Sequence, residues 1–171
     1  REGIESLYQE SMAIFNQRDL PEPEVFSRPV AFDCIPAAGG VAEACATDRE
    51  RGVTGALGRL LDGDVKLALT GVQVPAFVGL GGTAALETVD ELDPKHAEAL
   101  LSQAPGVELW EGEPDGLTLR AAAGREEAFV GRVRRDESVE HGLLLWFAAD
   151  VLRMAAANAV SLAVARLRLH H

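Results

Sequence analysis

The chain has 171 residues and a formal net charge of -11, with 47% hydrophobic and 25% charged residues. This length and composition are typical of one soluble globular domain with a substantial core. Such an acidic chain is poorly suited to bind DNA, RNA or anionic membranes, because that binding depends on Lys and Arg. The apolar run at 143–149 is followed by Asp150 and Arg153, well short of a membrane span. We therefore expect no nucleic-acid partner and no membrane partner.

The two ends of the chain and its cysteines offer little chemistry. The sequence begins at Arg1 without a methionine or a secretion signal, which indicates a cut inside a longer cytoplasmic protein. The paired residues at 170–171 resemble the remnant of a purification tag and are left out of the functional interpretation. Cys34 and Cys45 are expected to be buried, reduced thiols, because two cysteines in a chain without secretory features seldom form a disulfide.

Residues 1–20 form a connecting segment that is predicted to be helical over roughly its first 15 residues. Its apolar residues recur at three- and four-residue spacing, as on one face of an amphipathic helix. They are Ile4, Leu7, Tyr8, Met12 and Phe15. Residues 21–29 predict an extended linker, since Pro21, Pro23 and Pro29 remove backbone donors. Residues 30–169 are then the main domain, with a first strand predicted at 30–35 from alternating apolar residues.

A capping box opens the next predicted helix. Thr47 is the expected N-cap and Glu50 lies three residues later, so each side chain can accept a hydrogen bond from the other residue's backbone N–H. Asp62 and Gly63 are expected to end this helix.

Residues 65–75 predict a strand with a bulge around which the rest of the domain is organised. The apolar residues stand at odd positions up to Leu69 and at even positions from Val72, and Gly71 lies where the alternation changes. Pro75 is expected to end the strand. The uncharged, glycine-rich stretch that follows can lie against a ligand before the chain re-enters the sheet at Thr83. A functional site is expected here.

The remaining predicted elements follow in order. Asp93 and Pro94 start a helix that closes at Pro105 and Gly106. Strands are predicted at 107–110 and 117–119 as a surface meander, and another at 128–136. The run at 143–149 is apolar on both faces and predicts a strand in the middle of the sheet. The alanine-rich helix predicted at 151–167 is too apolar around its circumference to lie on a free surface.

Three of these segments resemble the C-terminal domain of the aspartate-semialdehyde dehydrogenase family, and in particular its divergent dehydrogenase-like paralogues. Residues 72–81 read VQVPAFVGLG and are similar to the family's V-R-V-P-V-x-x-G-H-S. Residues 28–36 are similar to R-x-I-A-F-N-V-I-P, and residues 128–136 to F-V-G-R-I-R-R-D. The resemblance extends from the first predicted helix to the last.

The resemblance implies a fold, a cofactor and two partners. The fold is α+β, with a mixed, largely antiparallel sheet and helices on one face, as in the C-terminal domain of glyceraldehyde-3-phosphate dehydrogenase. The other sheet face is expected to build a homodimer, since six or so strands leave an apolar face that needs cover. NADP and the catalytic cysteine are expected in an N-terminal dinucleotide-binding domain, so this chain is expected to hold no cofactor itself.

The residues that carry the family's chemistry are replaced in this sequence. In the family an arginine grips the substrate carboxylate and a histidine is the general acid/base, and Gln73 and Leu80 stand at those positions. Val151 stands where the family has an asparagine that contacts the nicotinamide cofactor. The family's acid and lysine on the preceding helix are missing from residues 54–58, although Arg59, one position further on, could substitute. The chain is therefore predicted to contain no catalytic, cofactor-binding or metal-binding residue.

Two other groups of side chains are weaker candidates for a site. Arg132 and Arg134 are expected on one face of a strand and Arg135 on the other, where ion pairing with acidic residues is favoured over phosphate binding. His141 is expected to be a solvated loop histidine.

Three functions are compatible with this pattern. The favoured one is a dimerisation and substrate-side domain of an NADP-dependent oxidoreductase that does no chemistry itself. The second is half of an active dehydrogenase for a different semialdehyde or acyl-phosphate substrate, which Gln73 and Leu80 would accommodate. The third is a pseudoenzyme that binds a metabolite without turnover. A cysteine followed by Ser or Thr in an upstream domain would favour the second.

Overall fold

The computed structural model describes residues 1–37, 39, 46–61 and 65–168. The chain divides into two compact units, Arg1–Phe77 and Val78–His171, which we call unit 1 and unit 2. Each unit is described separately.

Unit 1 contains helix α1 (Glu2–Phe15) and helix α2 (Asp48–Leu60). Helix α1 confirms the first predicted helix. Helix α2 begins as predicted, because Thr47 Oγ1 accepts a hydrogen bond from Glu50 N at 3.1 Å and Glu50 Oε2 accepts one from Thr47 N at 2.7 Å. The predicted end of this helix at Asp62 and Gly63 lies outside the described residues.

Two buried glutamates hold irregular backbone in place in unit 1. Glu10, only 1% exposed, accepts hydrogen bonds through Oε2 from Val30 N at 2.6 Å and from Ala31 N at 2.8 Å. Glu50 likewise accepts a hydrogen bond through Oε1 from Gly71 N at 2.7 Å. Each carboxylate therefore connects a helix to backbone about twenty residues further along the chain.

The strand predicted at residues 30–35 is wrong. The backbone turns there, since Asp33 N donates to Val30 O at 3.2 Å and Phe32 has a φ of 60°. Ile35 forms an isolated antiparallel bridge with Gln73. The apolar alternation that predicted a strand reflects the burial of Val30 and Ile35 on irregular backbone.

The bulged strand predicted at residues 65–75 is also wrong. In the described part of unit 1 this segment pairs at one position, Gln73, and residues 65–70 are exposed. A strand needs a neighbour along its length to satisfy its backbone groups, and a sequence pattern alone does not supply one. Gly71, predicted as a bulge, is instead the position at which Glu50 binds the backbone.

Unit 2 is built on a four-stranded mixed sheet with the order β1-β4-β3-β2. Its strands are β1 (Leu80–Glu87), β2 (Val107–Leu109), β3 (Ala128–Asp136) and β4 (Gly142–Ala149). β4 pairs antiparallel with β1 and with β3, and β2 pairs parallel with β3. The predicted α+β fold with a mixed, largely antiparallel sheet is confirmed, as is the interior place of β4. Among the residues that the structure describes, fewer strands form than the six expected.

The described part of unit 2 also contains three helices: α3 (Pro94–Leu101), α4 (Leu119–Ala122) and α5 (Val151–Arg168). α3 begins as predicted, because Asp93 Oδ2 accepts a hydrogen bond from Lys95 N at 3.0 Å. It ends at Leu101, four residues before the predicted stop at Pro105. α3 packs against β2 and β3, and α4 packs against β4.

The surface meander predicted at 107–119 is wrong in its second half. Leu117 is 3% exposed and belongs to the core, and Thr118 caps the short helix α4 instead of continuing a strand. The core cluster of unit 2 comprises Leu117, Ala122, Phe129 and Ala148. Trp146 packs against this cluster and ties the loop to the sheet, because its Nε1 donates to Leu117 O at 2.8 Å. Trp146 of β4 therefore holds the loop between β2 and α4 at Leu117.

Helix α5 confirms the long C-terminal helix. None of its residues is buried, and most of its large apolar side chains are exposed, Leu152 by 80%. The described part of this chain therefore does not provide the cover that the sequence predicted for this helix. Among the described helices, none is long and apolar enough to cross a membrane.

Candidate functional site

Gln73 lies in unit 1, where its backbone is held more firmly than its side chain. Its N–H donates to Ile35 O and its carbonyl accepts from Ile35 N, both at 2.9 Å. The half-buried side chain donates from Nε2 to Val74 O at 3.2 Å. An amide in this setting can accept and donate hydrogen bonds, but it carries no charge to grip a carboxylate.

Glu50 holds the backbone at Gly71, two residues before Gln73. Its carboxylate accepts hydrogen bonds from the backbone N–H groups of Thr47 and Gly71, both at 2.7 Å. The bond from Thr47 and then the bond from Gly71 lower the pKa of this carboxyl below its usual value, because they stabilise the ionised form. The start of α2 and the segment before Gln73 are thereby connected through one ionised side chain.

Leu80 and Val151 are brought together in unit 2 by strand pairing. Leu80 is the first residue of β1 and pairs with Ala149, two residues before Val151. Their exposed fractions are 52% and 47%. Gly79, with a φ of 100°, leads into the strand, and a Cβ there would lie 3.2 Å from Ala149 O and 3.3 Å from Leu119 Cβ. The two positions therefore lie at the same end of the β1–β4 pair, and both hold aliphatic side chains that cannot donate or accept a hydrogen bond.

Asp150, between these two positions, is a structural residue that sequence reasoning missed. It is 6% exposed and accepts hydrogen bonds from Gly124 N at 2.9 Å and from Leu152 N at 3.1 Å. The backbone bonds from Gly124 and then from Arg153 lower the pKa of this carboxyl. An acid directly before a helix is an N-cap signal that could have been read from the sequence.

Comparison with known proteins places these positions in a family. The sequence model described as semialdehyde dehydrogenase, dimerisation domain, matches residues 1–154. The chain belongs to this family. It is 32% identical over 165 residues to aspartate-semialdehyde dehydrogenase of Aquifex aeolicus, covering 94% of this chain and 48% of that protein. It is 33% identical over 165 residues to the USG-1 protein homolog of Azotobacter vinelandii, covering 95% and 49% respectively.

The fold agrees with a solved member of the family. The crystal structure of aspartate semialdehyde dehydrogenase II of Vibrio cholerae, complexed with ASA, superposes with a TM-score of 0.90 at 30% identity. The superposition covers 98% of this chain and 50% of that chain. The chain thus spans about half the length of the relatives that it matches. The resemblance drawn from the sequence is confirmed at the level of family and fold.

The three arginines of β3, all among the described residues, do not form one cluster. A register shift between Gly131 and Arg134 and a φ of 56° at Arg132 interrupt the alternation on which their predicted faces rested. Arg134 donates to the carbonyl of Arg132 at 3.1 Å. Arg135 forms an ion pair with Glu91, and its hydrogen bond and charge lower the pKa of the Glu91 carboxyl. The preference for ion pairing over a ligand is borne out by Arg135.

Arg59 lies exposed in the last turn of α2, and the residues 54–58 before it carry no charge. Whether Arg59 takes over the family's phosphate or carboxylate contact stays an untested prediction.

His141 differs from the expected solvated loop residue. It is half-buried, and its Nδ1 is buried without a hydrogen-bond partner in the described part of the structure. Its carbonyl accepts hydrogen bonds from Thr88 N and Thr88 Oγ1, each at 3.1 Å. The backbone at this position has a structural role, joining the end of β1 to the turn before β4.

The expectation that both cysteines are buried is wrong for Cys34, which is an exposed free thiol. It lies in the turn region that replaces the predicted first strand, and Cys45 lies outside the described residues. Among the residues that the structure describes, no three His, Cys, Asp or Glu side chains are placed to hold a metal ion.

Proposed function

We propose that this chain is the dimerisation and substrate-side domain of an aspartate-semialdehyde-dehydrogenase-like, NADP-dependent oxidoreductase, and that it is itself noncatalytic. The observation that carries the proposal is the replacement of two family side chains, the carboxylate-binding arginine by Gln73 and the general acid/base histidine by Leu80. The family membership and the position of Leu80 at the start of β1 support it.

The two replacements remove different parts of the chemistry. A leucine has no titratable proton, and loss of a general acid/base typically costs about 10²–10⁴-fold in rate. A glutamine lacks the charged fork with which an arginine binds a carboxylate in two parallel hydrogen bonds. Because both losses fall within one short segment, catalysis by the family's own mechanism is not expected.

The cofactor NADP fits poorly with the residues of this chain. Gly79 leads into strand β1 and Gly81 and Gly82 lie within it, whereas a phosphate-binding turn of the dinucleotide type opens a helix. Val151 offers no hydrogen bond to a nicotinamide amide. We therefore place NADP in the N-terminal dinucleotide-binding domain, the proposed second partner.

Turnover by the intact protein tests the noncatalytic proposal. NADP reduction with aspartate semialdehyde and phosphate would be compared among the wild type, Gln73→Arg/Leu80→His, and the matched control Gln73→Asn/Leu80→Ile. We expect no turnover from the wild type or from the control. Turnover by the wild type would overturn the proposal in favour of an active dehydrogenase whose site uses other residues.

We propose in addition that the homodimer forms through one face of the sheet in unit 2. Alternate residues of β1 form an apolar patch on that face together with Phe147, and Ala84 and Phe147 are half-buried: Leu80, Ala84, Leu86 and Phe147. Leu80 and Leu86 are 52% and 44% exposed. A Cβ on Gly82 would lie 3.0 Å from the Phe147 ring, which places the ring beside β1. On the opposite face, a Cβ on Gly81 would lie 2.6 Å from the Leu119 side chain, so α4 covers that face at Gly81.

Sedimentation of the intact protein tests this dimer face. Replacing Leu86 by Lys introduces a charge into the apolar patch, whereas Thr83→Lys introduces the same charge at an exposed residue on the opposite face of β1. We expect Leu86→Lys to weaken dimerisation by about tenfold to a hundredfold, the equivalent of one buried leucine side chain. Equal dimerisation constants for the two variants would contradict the assigned face.

A further inference from the structure

The sheet of unit 2 ends on one side in an edge strand, β1, whose outer side is unpaired within the described residues. The strand order β1-β4-β3-β2 places β1 at this edge. β1 pairs with β4 through eight consecutive positions, from Leu80 to Glu87. Its outer side makes no backbone hydrogen bond with any residue that the structure describes. A strand that is open along its whole length is a template for pairing with a further strand.

The register of β1 identifies the backbone groups that point to this outer side. Thr88 N donates to His141 O at 3.1 Å, and this pair continues the register of β1 and β4 by one position. In an antiparallel pair, hydrogen-bonded and non-hydrogen-bonded positions alternate. Positions 80, 82, 84 and 86 therefore bond to β4, and the residues between them direct their N–H and C=O groups outward. Those residues, whose N–H groups we call the outward amides, are Gly81, Thr83, Ala85 and Glu87.

The opposite edge of the same sheet is protected against a further strand. β2 has three residues, Val107–Leu109, and the central one is the charged Glu108. Arg125 Nη2 donates to Glu108 Oε2 at 3.1 Å, which sets a second charge beside the strand. Short strands and charged side chains are common means of blocking an open edge. β1 is eight residues long, contains no Lys, Arg or Pro, and carries a charge only at its last residue. This difference indicates that the β1 edge is paired in the intact protein.

The side chains of β1 define the kind of strand that fits its edge. Leu80, Ala84 and Leu86 stand on the face of the apolar patch. The Phe147 ring extends this apolar surface toward the edge, because a Cβ on Gly82 would lie 3.0 Å from it. Neighbouring strands place their side chains about 4.5–5.5 Å apart on each face. An uncharged strand with apolar side chains at alternate positions therefore fits this edge.

A second copy of β1 is a poor source of that strand. In the longest register, two copies that bond through their outward groups about a two-fold axis pair Gly81 with Glu87 and Gly82 with Leu86. Each glycine lacks the side chain from which cross-strand contacts gain their stability. Such a pairing is therefore weak at both of its ends.

Chain beyond these 171 residues is a better source. The relatives are about twice as long as this chain, which covers 48% of one and 50% of another. An intact protein of that length has a comparable amount of further chain from which a strand can come. The described sheet also has four strands, fewer than the six or so that the sequence predicted.

We propose that the outer edge of β1 binds an extended, uncharged strand from the part of the intact protein that lies outside this chain. The bound strand pairs with the outward groups of β1, adds a fifth strand to the four of the sheet, and makes β1 an interior strand. This inference rests on the proposed function in one respect, namely that the chain is one domain of a longer protein.

Hydrogen exchange of the intact protein, resolved to single amides by mass spectrometry, tests the proposal. We expect the four outward amides of β1 to exchange at least about a hundredfold more slowly than unprotected amides, as the amides bonded to β4 do. Fast exchange at the outward amides, alternating with slow exchange at the positions between them, would show an open edge and overturn the proposal.

Thr83→Pro locates the bound strand, with Thr83→Ala as the matched control. Proline removes the outward N–H at this position, whereas alanine keeps it. We expect Thr83→Pro to speed exchange at least about tenfold, the effect of losing one hydrogen bond, at Gly81, at Ala85 and along one stretch outside this chain. Slow exchange that persists at Leu86 verifies that β1 stays paired with β4. The wild-type pattern tests the proposal even where the proline variant fails to fold.

Two results with these variants would contradict the proposal. Faster exchange confined to these 171 residues would assign the edge to a second copy or to another part of this chain. Equal effects of proline and alanine would mean that the N–H of Thr83 bonds to no strand. Turnover by the wild type would overturn the noncatalytic assignment and leave this exchange pattern unchanged, so the two failures are distinguishable.

Discussion

In unit 1 buried carboxylates hold irregular backbone, whereas in unit 2 paired strands and an apolar cluster hold the chain. Glu10 binds the backbone at Val30 and Ala31, and Glu50 binds it at Gly71. In unit 2, β4 is paired along both of its edges, and Phe129 and Ala148 pack in a cluster that they share with residues of the loop and of α4.

This difference affects how Gln73 and Leu80, which replace the family's arginine and histidine, are held in place. Gln73 depends on one backbone bridge and on the ionised Glu50, which binds the backbone two residues before it. Leu80 depends on a ladder of eight paired positions between β1 and β4, which no single side chain controls. A single side-chain substitution is therefore expected to displace Gln73 more easily than Leu80. Substitutions of core residues are expected to lower the stability of unit 2.

The largest expected effect on stability comes from truncating a core side chain of unit 2. Phe129 is 3% exposed, packs edge-on against Trp110 at 5.9 Å between ring centroids, and lies 5.0 Å from the Arg125 guanidinium. Phe129→Ala is expected to lower the free energy of unfolding by about 3–5 kcal/mol, the usual cost of truncating a buried phenylalanine. Urea unfolding followed by tryptophan fluorescence measures it, since both tryptophans lie in unit 2.

The matched control is Phe77→Ala in unit 1. Phe77 is 65% exposed, so its truncation is expected to change the free energy of unfolding by less than about 0.5 kcal/mol. Comparable losses in the two variants would mean that the apolar cluster does not dominate the stability of unit 2, and the contrast between the units would fail.

The sequence predicted the elements whose signals are local. The capping box of Thr47 and Glu50, the Asp93–Pro94 helix start and the apolar run of β4 each lie within one short stretch, and each is confirmed. Such signals reflect contacts within one turn of helix or alternation along one strand. The candidate positions at 73, 80 and 151 came from resemblance to a family. Such a resemblance reflects contacts between residues far apart in the sequence, which no local pattern contains.

The sequence failed where distant contacts decide the structure. The alternation at 65–69 is that of a strand, but the described part of unit 1 offers it no partner strand. Leu117 was predicted to lie in a surface meander. The residue that binds its carbonyl, Trp146, lies 29 residues further on, and a local pattern does not show this contact. The bond from Gly124 to Asp150 spans 26 residues. Periodicity shows which side chains along a segment alternate. The structures at residues 65–69, Leu117 and Asp150 depend instead on contacts with distant parts of the chain, which periodicity does not show.

The smallest expected effect is a response to acid that differs between the two units. The backbone bonds to Glu50 and Asp150 lower the pKa of both carboxyls, so each stabilises the fold fully above its unfolded pKa, about 4.3 for Glu and 3.9 for Asp. That stabilisation is lost as the pH falls through the lower folded pKa. Amide chemical shifts recorded from about pH 6 downwards are expected to move at Gly71 and at Gly124, each over its own carboxyl's titration.

The two units are expected to respond differently once these carboxyls are protonated. Loss of the Glu50 bond frees the irregular segment before Gln73, so the shift at Gly71 is accompanied by shifts at Gln73 and Ile35. Loss of the Asp150 bond leaves the pairing of β4 intact, so the amide of Ala148 keeps its shift while that of Gly124 moves. Glu50→Gln is expected to abolish the acid response at Gly71, whereas Glu5→Gln, a change at an exposed acid of α1, leaves it unchanged. A Gly71 profile that survives Glu50→Gln would show that another group holds this backbone, because a neutral amide has no titration to report.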